Sequence, residues 1–302
     1  MSSAPPPGPV AAADVVLPAS AWLPLARAHA ERADAMTAGY LERRSRHERH
    51  AIDDFMYDYY GVKPAGLRRW HPGPGVVLGG TPEQTATHEL WRFYRAVPGG
   101  VGFDAETFFA ERGDTVRYVH TLLTGTAARP AHVGCLGLHE WAMVYRQDDE
   151  RRRHSLPLRL GREGTDDVVE SHPLRCSHFD AFRFFTPDAV GRNRLQPTRA
   201  TQPAMEQPGC LHANMDLYKW TAKLNPAVPG DLVLDCFTLA RDIRTLDMQA
   251  SPYDVSSLGE PAVAIETPAG KAEYVARQRA FADRSTVLRR RLIEVCERVL
   301  GT

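Results

Sequence analysis

The segment Cys210–Leu224, C-L-H-A-N-M-D-L-Y-K-W-T-A-K-L, follows a Pro208-Gly209 turn, and its periodicity decides the class of the fold. Leu211, Met215 and Tyr218 recur at the spacing of one helical face, while His212, Asp216, Lys219 and Trp220 share another. Downstream the same spacing predicts helices from Asp231 to about Asp247, ended by Ser251-Pro252, and from Lys271 to Leu300. Upstream it predicts a helix from Ala19 to about His50 with Ser20 as N-cap, and a short aromatic helix over Ile52–Tyr60 that Gly61 stops. Two more are expected, from Asp104 to about Thr124 and over Leu138–Arg146. The strand candidates are Val76–Leu78, Val168-Val169 and Leu174–Thr186. With no internal repeat and no linker, the expectation is an α+β fold: a mostly helical single domain, 19–302, around a small β-sheet. Residues 1–18, with Pro5-Pro6-Pro7-Gly8-Pro9, have too few large apolar side chains to offset ordering and read as a disordered tail.

Composition bounds the function. The chain has 302 residues, 37 basic and 37 acidic, with 43% hydrophobic and 25% charged residues. That is the composition of a globular protein, which excludes coiled coil, collagen-like and wholly disordered classes. No run of about 18 apolar residues exists, and Val10–Leu25 is broken by Asp14, Pro18 and Pro24, so neither a membrane span nor a signal peptide is expected. Five cysteines, an odd number without a C-x-x-C pair, point to reduced thiols and a cytoplasmic location. Four of the basic residues are lysines (Lys63, Lys219, Lys223, Lys271) and the rest are arginines. A zero net charge weakens the expectation of non-specific DNA affinity.

The chemistry-bearing residues cluster in three strings. On a strand of period two, Cys176, His178, Asp180, Phe182 and Phe184 would share one face, placing a carboxylate and an imidazole on an aromatic wall. The plainer reading is a satisfied His178–Asp180 pair. In His139–Arg146 (H-E-W-A-M-V-Y-R) helical spacing sets Trp141 over Tyr145 and His139 over Met143. Glu140 would then lie in an apolar setting that raises its pKa and suits a general acid, or would pair with an arginine. His212 and Asp216 are spaced to bind a metal, although Lys219 on that face favours an ion pair. His50 with Asp53 and Asp54, and His71 in its turn, read as structural groups. His154, His172, Glu170 and Asp166 fall near the expected sheet. No G-x-S-x-G, H-E-x-x-H, P-loop or zinc-ribbon spacing is present, and the glycines and prolines of 72–75 and 97–102 read as turns.

Five strings carry a resemblance: Trp70–Gly75 (W-H-P-G-P-G), His139–Arg146, His178–Thr186 (H-F-D-A-F-R-F-F-T), Glu206–His212 (E-Q-P-G-C-L-H), and Leu246–Met248 with Ala250–Asp254. They are similar to those of a bacterial family labelled 3-methyladenine DNA glycosylase, from about residue 50 to residue 282. The resemblance implies release of 3-methyladenine from DNA without a cofactor, and carries over no catalytic residue. Such chemistry needs aromatic faces around a flipped cationic base and a carboxylate facing the sugar. Trp141, Tyr145, Phe182 and Phe184, with Trp70 and Arg183, are the candidate base-binding residues; Asp180, Glu140 and His178 are the candidate catalytic groups. Arg175, Arg183, Arg192, Arg194 and Arg199, against Asp180 and Asp188, either offer phosphate contacts or simply cover the sheet. The rival expectation is a metal-dependent iron oxygenase or hydrolase acting on a small molecule. There iron, zinc or manganese would be held by His178 and Asp180 with His212 and His139. A binding module without chemistry is the third class.

Overall fold

The computed structural model describes residues 15–148 and 154–302, 58% of the chain being helical, in a single α+β domain with one small mixed sheet. Four strands form it in the order β1-β2-β4-β3: β1 (Val15–Leu17), β2 (Val76–Leu78), β3 (Tyr94–Val97) and β4 (Gly100–Phe103). β1 runs parallel to β2, with Val16 opposite Val77, and the other pairings are antiparallel. Pro98 and Gly99 turn the β3–β4 hairpin. At Gly100 (φ +148°) an added Cβ would stand 2.0 Å from the Leu78 carbonyl oxygen, so only glycine lets β4 approach β2 there.

The site is carried by four helices that pack on one another: Ala105–Ala127, Leu211–Leu224, Gly230–Gln249 and Pro268–Leu300. Asp104 starts the first by accepting from the Thr107 amide, and Thr267 starts the last by accepting from Gly270. Phe108, Val116, Val119 and Leu122, spaced along one face, are fully buried with Leu217, Tyr218, Leu239, Ile243, Leu292 and Cys296. Each such side chain contributes roughly 1.5–3 kcal/mol by leaving water. Leu122→Ala would therefore cost about 2–5 kcal/mol.

The structure departs from the sequence expectation at several places. Residues 1–14 of the expected tail lie outside the described residues, but Val15–Leu17 form β1. The first helix starts at Ala19 behind Pro18, so Ser20 is inside it and not its cap. It ends at Ser45. The aromatic helix shrinks to Phe55–Asp58, and Leu138–Arg146 to Leu138–Ala142, with Arg146 at φ +52°. Val168 and Val169 lie in a helix, Gly161–Ser171, because with Thr165 they form one buried stripe at helical spacing. Leu174–Thr186 is no strand: apart from a single bridge from Leu174 to Asn193, it is loop and the short helix Phe179–Phe182, with His178 just before it. No partner strand reaches this segment, so the period-two face that joined His178 to Asp180 does not exist. The helix Pro82–Glu89, opened by a capping box from Thr81 to Gln84, was not expected, nor was the β3–β4 hairpin.

Candidate metal centre and its cavity

A cavity of about 530 Å³ opens between the 130–137 loop, the start of Leu211–Leu224 and the first turns of Pro268–Leu300. The loop is tied down by the E-Q-P-G string. Gln207 donates to the His132 carbonyl (3.1 Å) and accepts from its amide (2.8 Å). Arg129 donates to the carbonyls of Glu206 and Pro203. Gly209 passes so close beneath that an added Cβ would meet the His132 carbonyl oxygen at 2.5 Å.

His139 and His212 stand in the cavity wall with ring centroids 4.3 Å apart, edge to face. His139 follows Gly137, whose left-handed φ of +71° starts the short helix directly under the Tyr274 ring. Its Nε2 lies 2.7 Å from Asp247 Oδ1 in the last turn of Gly230–Gln249. One turn earlier, Arg244 donates to the second Asp247 oxygen (2.9 Å) and to Glu140 Oε1 (3.0 Å). His139, Asp247, Arg244 and Glu140 are all buried, so charges alternate along a dry chain. Burial alone would lower the His139 pKa, but Asp247 outweighs it and holds the imidazole well above its usual value. Burial would also raise Asp247, yet His139 and Arg244 keep it far below the usual carboxylate range. His212 is held well below its usual value, first by burial and then by the charge on His139, and is neutral. Its ring makes no hydrogen bond to a described residue. The ligand atoms of His139, His212 and Asp247 all lie within 4.8 Å of one another.

A second charged group adjoins the first. The His178 ring stacks against His212 at 5.4 Å, with its Nε2 3.2 Å from Glu206 Oε1 and 3.4 Å from Asp216 Oδ2. Burial opposes its charge, but the two carboxylates raise it to about 9. Neither ring nitrogen has a partner in hydrogen-bonding geometry. Lys219 then bridges Asp216 (2.9 Å) to Asp180 (2.6 Å), and Asp180 also meets Arg199 and Arg183 at 3.1 and 3.2 Å.

Of the residues singled out in the sequence, the structure joins His139 to His212 and sets His178 beside them. Asp180 lies beyond Asp216 and Lys219, outside the cluster. The expected His178–Asp180 pair is replaced by two separate sets of partners, and the ion pair expected from Lys219 to Asp216 is present. Glu140 meets Arg244 instead of standing in an apolar pocket. Trp141 is fully buried and donates to the Ala250 carbonyl, and Tyr145 is buried with its hydroxyl on Glu170. Phe182 packs on Phe185, and Arg183 covers Phe184. Trp70 stacks parallel to Trp22 in a remote corner beside His88. None of these aromatics lines the large cavity. Phe184, Asp180, Glu140 and Arg244 border a far smaller one, about 10 Å³, behind His212. Asp247, Arg244, Cys135 and Tyr274 were not picked out as site residues. Arg244 and Asp247, one turn apart and interleaved with Ile243, Leu246 and Met248 on a buried helix, were the available signal. Among the described residues no helix is long and apolar enough to cross a membrane. No family model, no curated protein and no solved structure matches the chain, so its function rests on the site itself.

Proposed function

We propose that the chain is a metal-dependent enzyme acting on a small molecule in the 530 Å³ cavity, with His139, His212 and Asp247 as ligands. The observation that carries this is the convergence of two imidazoles in the cavity wall with one carboxylate behind them, from three separate elements. Two histidines and a carboxylate suit iron(II), zinc or manganese and leave positions open for substrate or water. A divalent cation would replace the proton now shared by His139 and Asp247. The neutral, unbonded His212 completes the set without losing a partner. Arg244 on the second Asp247 oxygen is the outer contact that orients a ligating carboxylate. Such a metal would act as a Lewis acid or lower the pKa of a bound water.

Base excision finds less support in this geometry, because Trp141 and Tyr145 are occupied inside the core and no pair of aromatic faces lines the cavity. A second reading has an observation of its own: Cys135 Sγ lies 3.7 Å from His139 Nδ1, whose other nitrogen meets Asp247. A thiol, an imidazole and a carboxylate in line is the arrangement of a nucleophilic cysteine.

His212 separates the two readings, since the thiol relay does not use it. Elemental analysis of purified protein should find about one iron, zinc or manganese per chain. His212→Ala should strip the metal, as each ligand lost weakens binding steeply, while Cys135→Ser should retain it. Metal-free wild type whose activity is abolished by Cys135→Ser would replace the metal reading with the thiol one.

A further inference from the structure

No Asp or Glu lines the large cavity among the described residues, although 37 of the 302 residues are acidic. Two arginines do. Arg129 is half-buried and fixed by two main-chain carbonyls, at 2.8 and 2.7 Å, with no carboxylate of the described residues in ion-pair range. Those bonds hold the guanidinium in place without neutralising it, and leave N–H groups unused. Arg175 is exposed at the cavity and makes no hydrogen bond or ion pair with a described residue. Elsewhere in the chain arginines are mostly matched: Arg159 with Glu266, Arg244 with Glu140 and Asp247, Arg291 with Asp231 and Asp235. Two guanidiniums with no carboxylate partner among the described residues therefore line the cavity, and no described carboxylate there offsets them. A planar guanidinium binds carboxylate and phosphate oxygens two at a time.

We propose that the molecule bound in this cavity is an anion, held through a carboxylate or phosphate by Arg175 and Arg129. The part of this that places its reacting end beside His139 and His212 rests on the metal-dependent reading; anion binding itself does not.

Cys135 lines the same cavity and is partly exposed, so it reports the local field. Alkylation of Cys135 by anionic iodoacetate and by neutral iodoacetamide is compared in the purified full chain, with peptide mapping. The iodoacetate-to-iodoacetamide rate ratio should exceed that of the urea-unfolded chain by about 3-fold or more, as a cationic cleft concentrates anions. Arg175→Gln, an exposed position, should bring the ratio down toward the unfolded value, and Arg129→Gln should do the same. Arg27→Gln, on the distant first helix, should leave it unchanged. Inorganic phosphate and succinate are then added as protecting probes, and the one that slows iodoacetamide more identifies the anionic group as phosphate or carboxylate. A native ratio equal to the unfolded one, or one unmoved by both cavity substitutions, overturns the proposal. Metal content of the same samples is read separately, so loss of the metal reading with the ratio intact, or the reverse, is seen as such.

Discussion

His139 and Asp247 are separated by 108 positions in sequence and by 2.7 Å between Nε2 and Oδ1. That contact clamps the short Leu138–Ala142 helix to the end of Gly230–Gln249, and Arg244 extends it to Glu140. Four charged groups thus sit together with almost no exposed surface.

Removing one member of such a chain leaves its neighbours charged and dry. Arg244→Met keeps most of the side-chain volume but takes the guanidinium away from Glu140 and Asp247, and should cost about 3–5 kcal/mol by urea denaturation. Adding Glu140→Gln should recover part of this loss, because a buried charge that lost its guanidinium disappears. A single variant as stable as wild type would mean that the chain is solvated in solution.

The helical half of this architecture was legible because its apolar stripes are long. Leu211, Met215 and Tyr218 mark a buried face over several turns, and the Pro208-Gly209 turn marks its start. The sheet was largely illegible: β1 has three residues, and its Val15 and Val16 remain exposed, so no burial pattern distinguishes it from tail. His178–Phe185 misled because four phenylalanines in eight residues fit either period, and tertiary packing chose the tighter one. His139 and His212 were named as possible ligands, but Asp247 needed the fold. Nothing local tells which buried carboxylate faces a histidine more than a hundred residues away.

Gly209 sets the height of the loop over the cavity. Gly209→Ala drives a Cβ against the His132 carbonyl and must lift residues 131–134 or shift the start of Leu211–Leu224. Overpacking of this kind should cost about 1–3 kcal/mol, with faster proteolysis at the loop than in wild type. Unchanged stability together with unchanged cleavage would show that the loop yields freely.

All five cysteines are unpaired, as their odd number suggested, but they are unequal. Cys176, Cys210, Cys236 and Cys296 are buried, and burial pushes each thiol up, Cys296 to about 12. Cys135 alone is partly exposed. Under native conditions iodoacetamide should modify Cys135 on the order of 10-fold faster than the other four, and unfolding should release all five. Equal native rates would contradict the burial of Cys176, Cys210, Cys236 and Cys296.

Far from the cavity, His71 makes stability depend on pH. Its ring is buried beside Trp91 and Tyr94, Nδ1 meets the Tyr94 hydroxyl at 3.0 Å, and Nε2 has no partner. Burial, followed by the nearby His88, His29 and Arg69, lowers its pKa from 6.5 to about 3. His29 and His88 are also lowered, chiefly by burial. A histidine kept neutral in the fold binds fewer protons than in the unfolded chain between those two values. Its contribution is therefore complete above pH 6.5 and drains away as pH falls toward 3, at about 1.4 kcal/mol per pH unit once well below 6.5. Urea denaturation at pH 7 and pH 5 should differ by about 2 kcal/mol on account of His71 alone. His71→Phe keeps a ring against Trp91 and removes the proton site, so its loss between the two pH values should be smaller by that amount. The remaining slope belongs to His29 and His88. Identical pH dependence in wild type and His71→Phe would show that the corner opens to water and that His71 titrates normally.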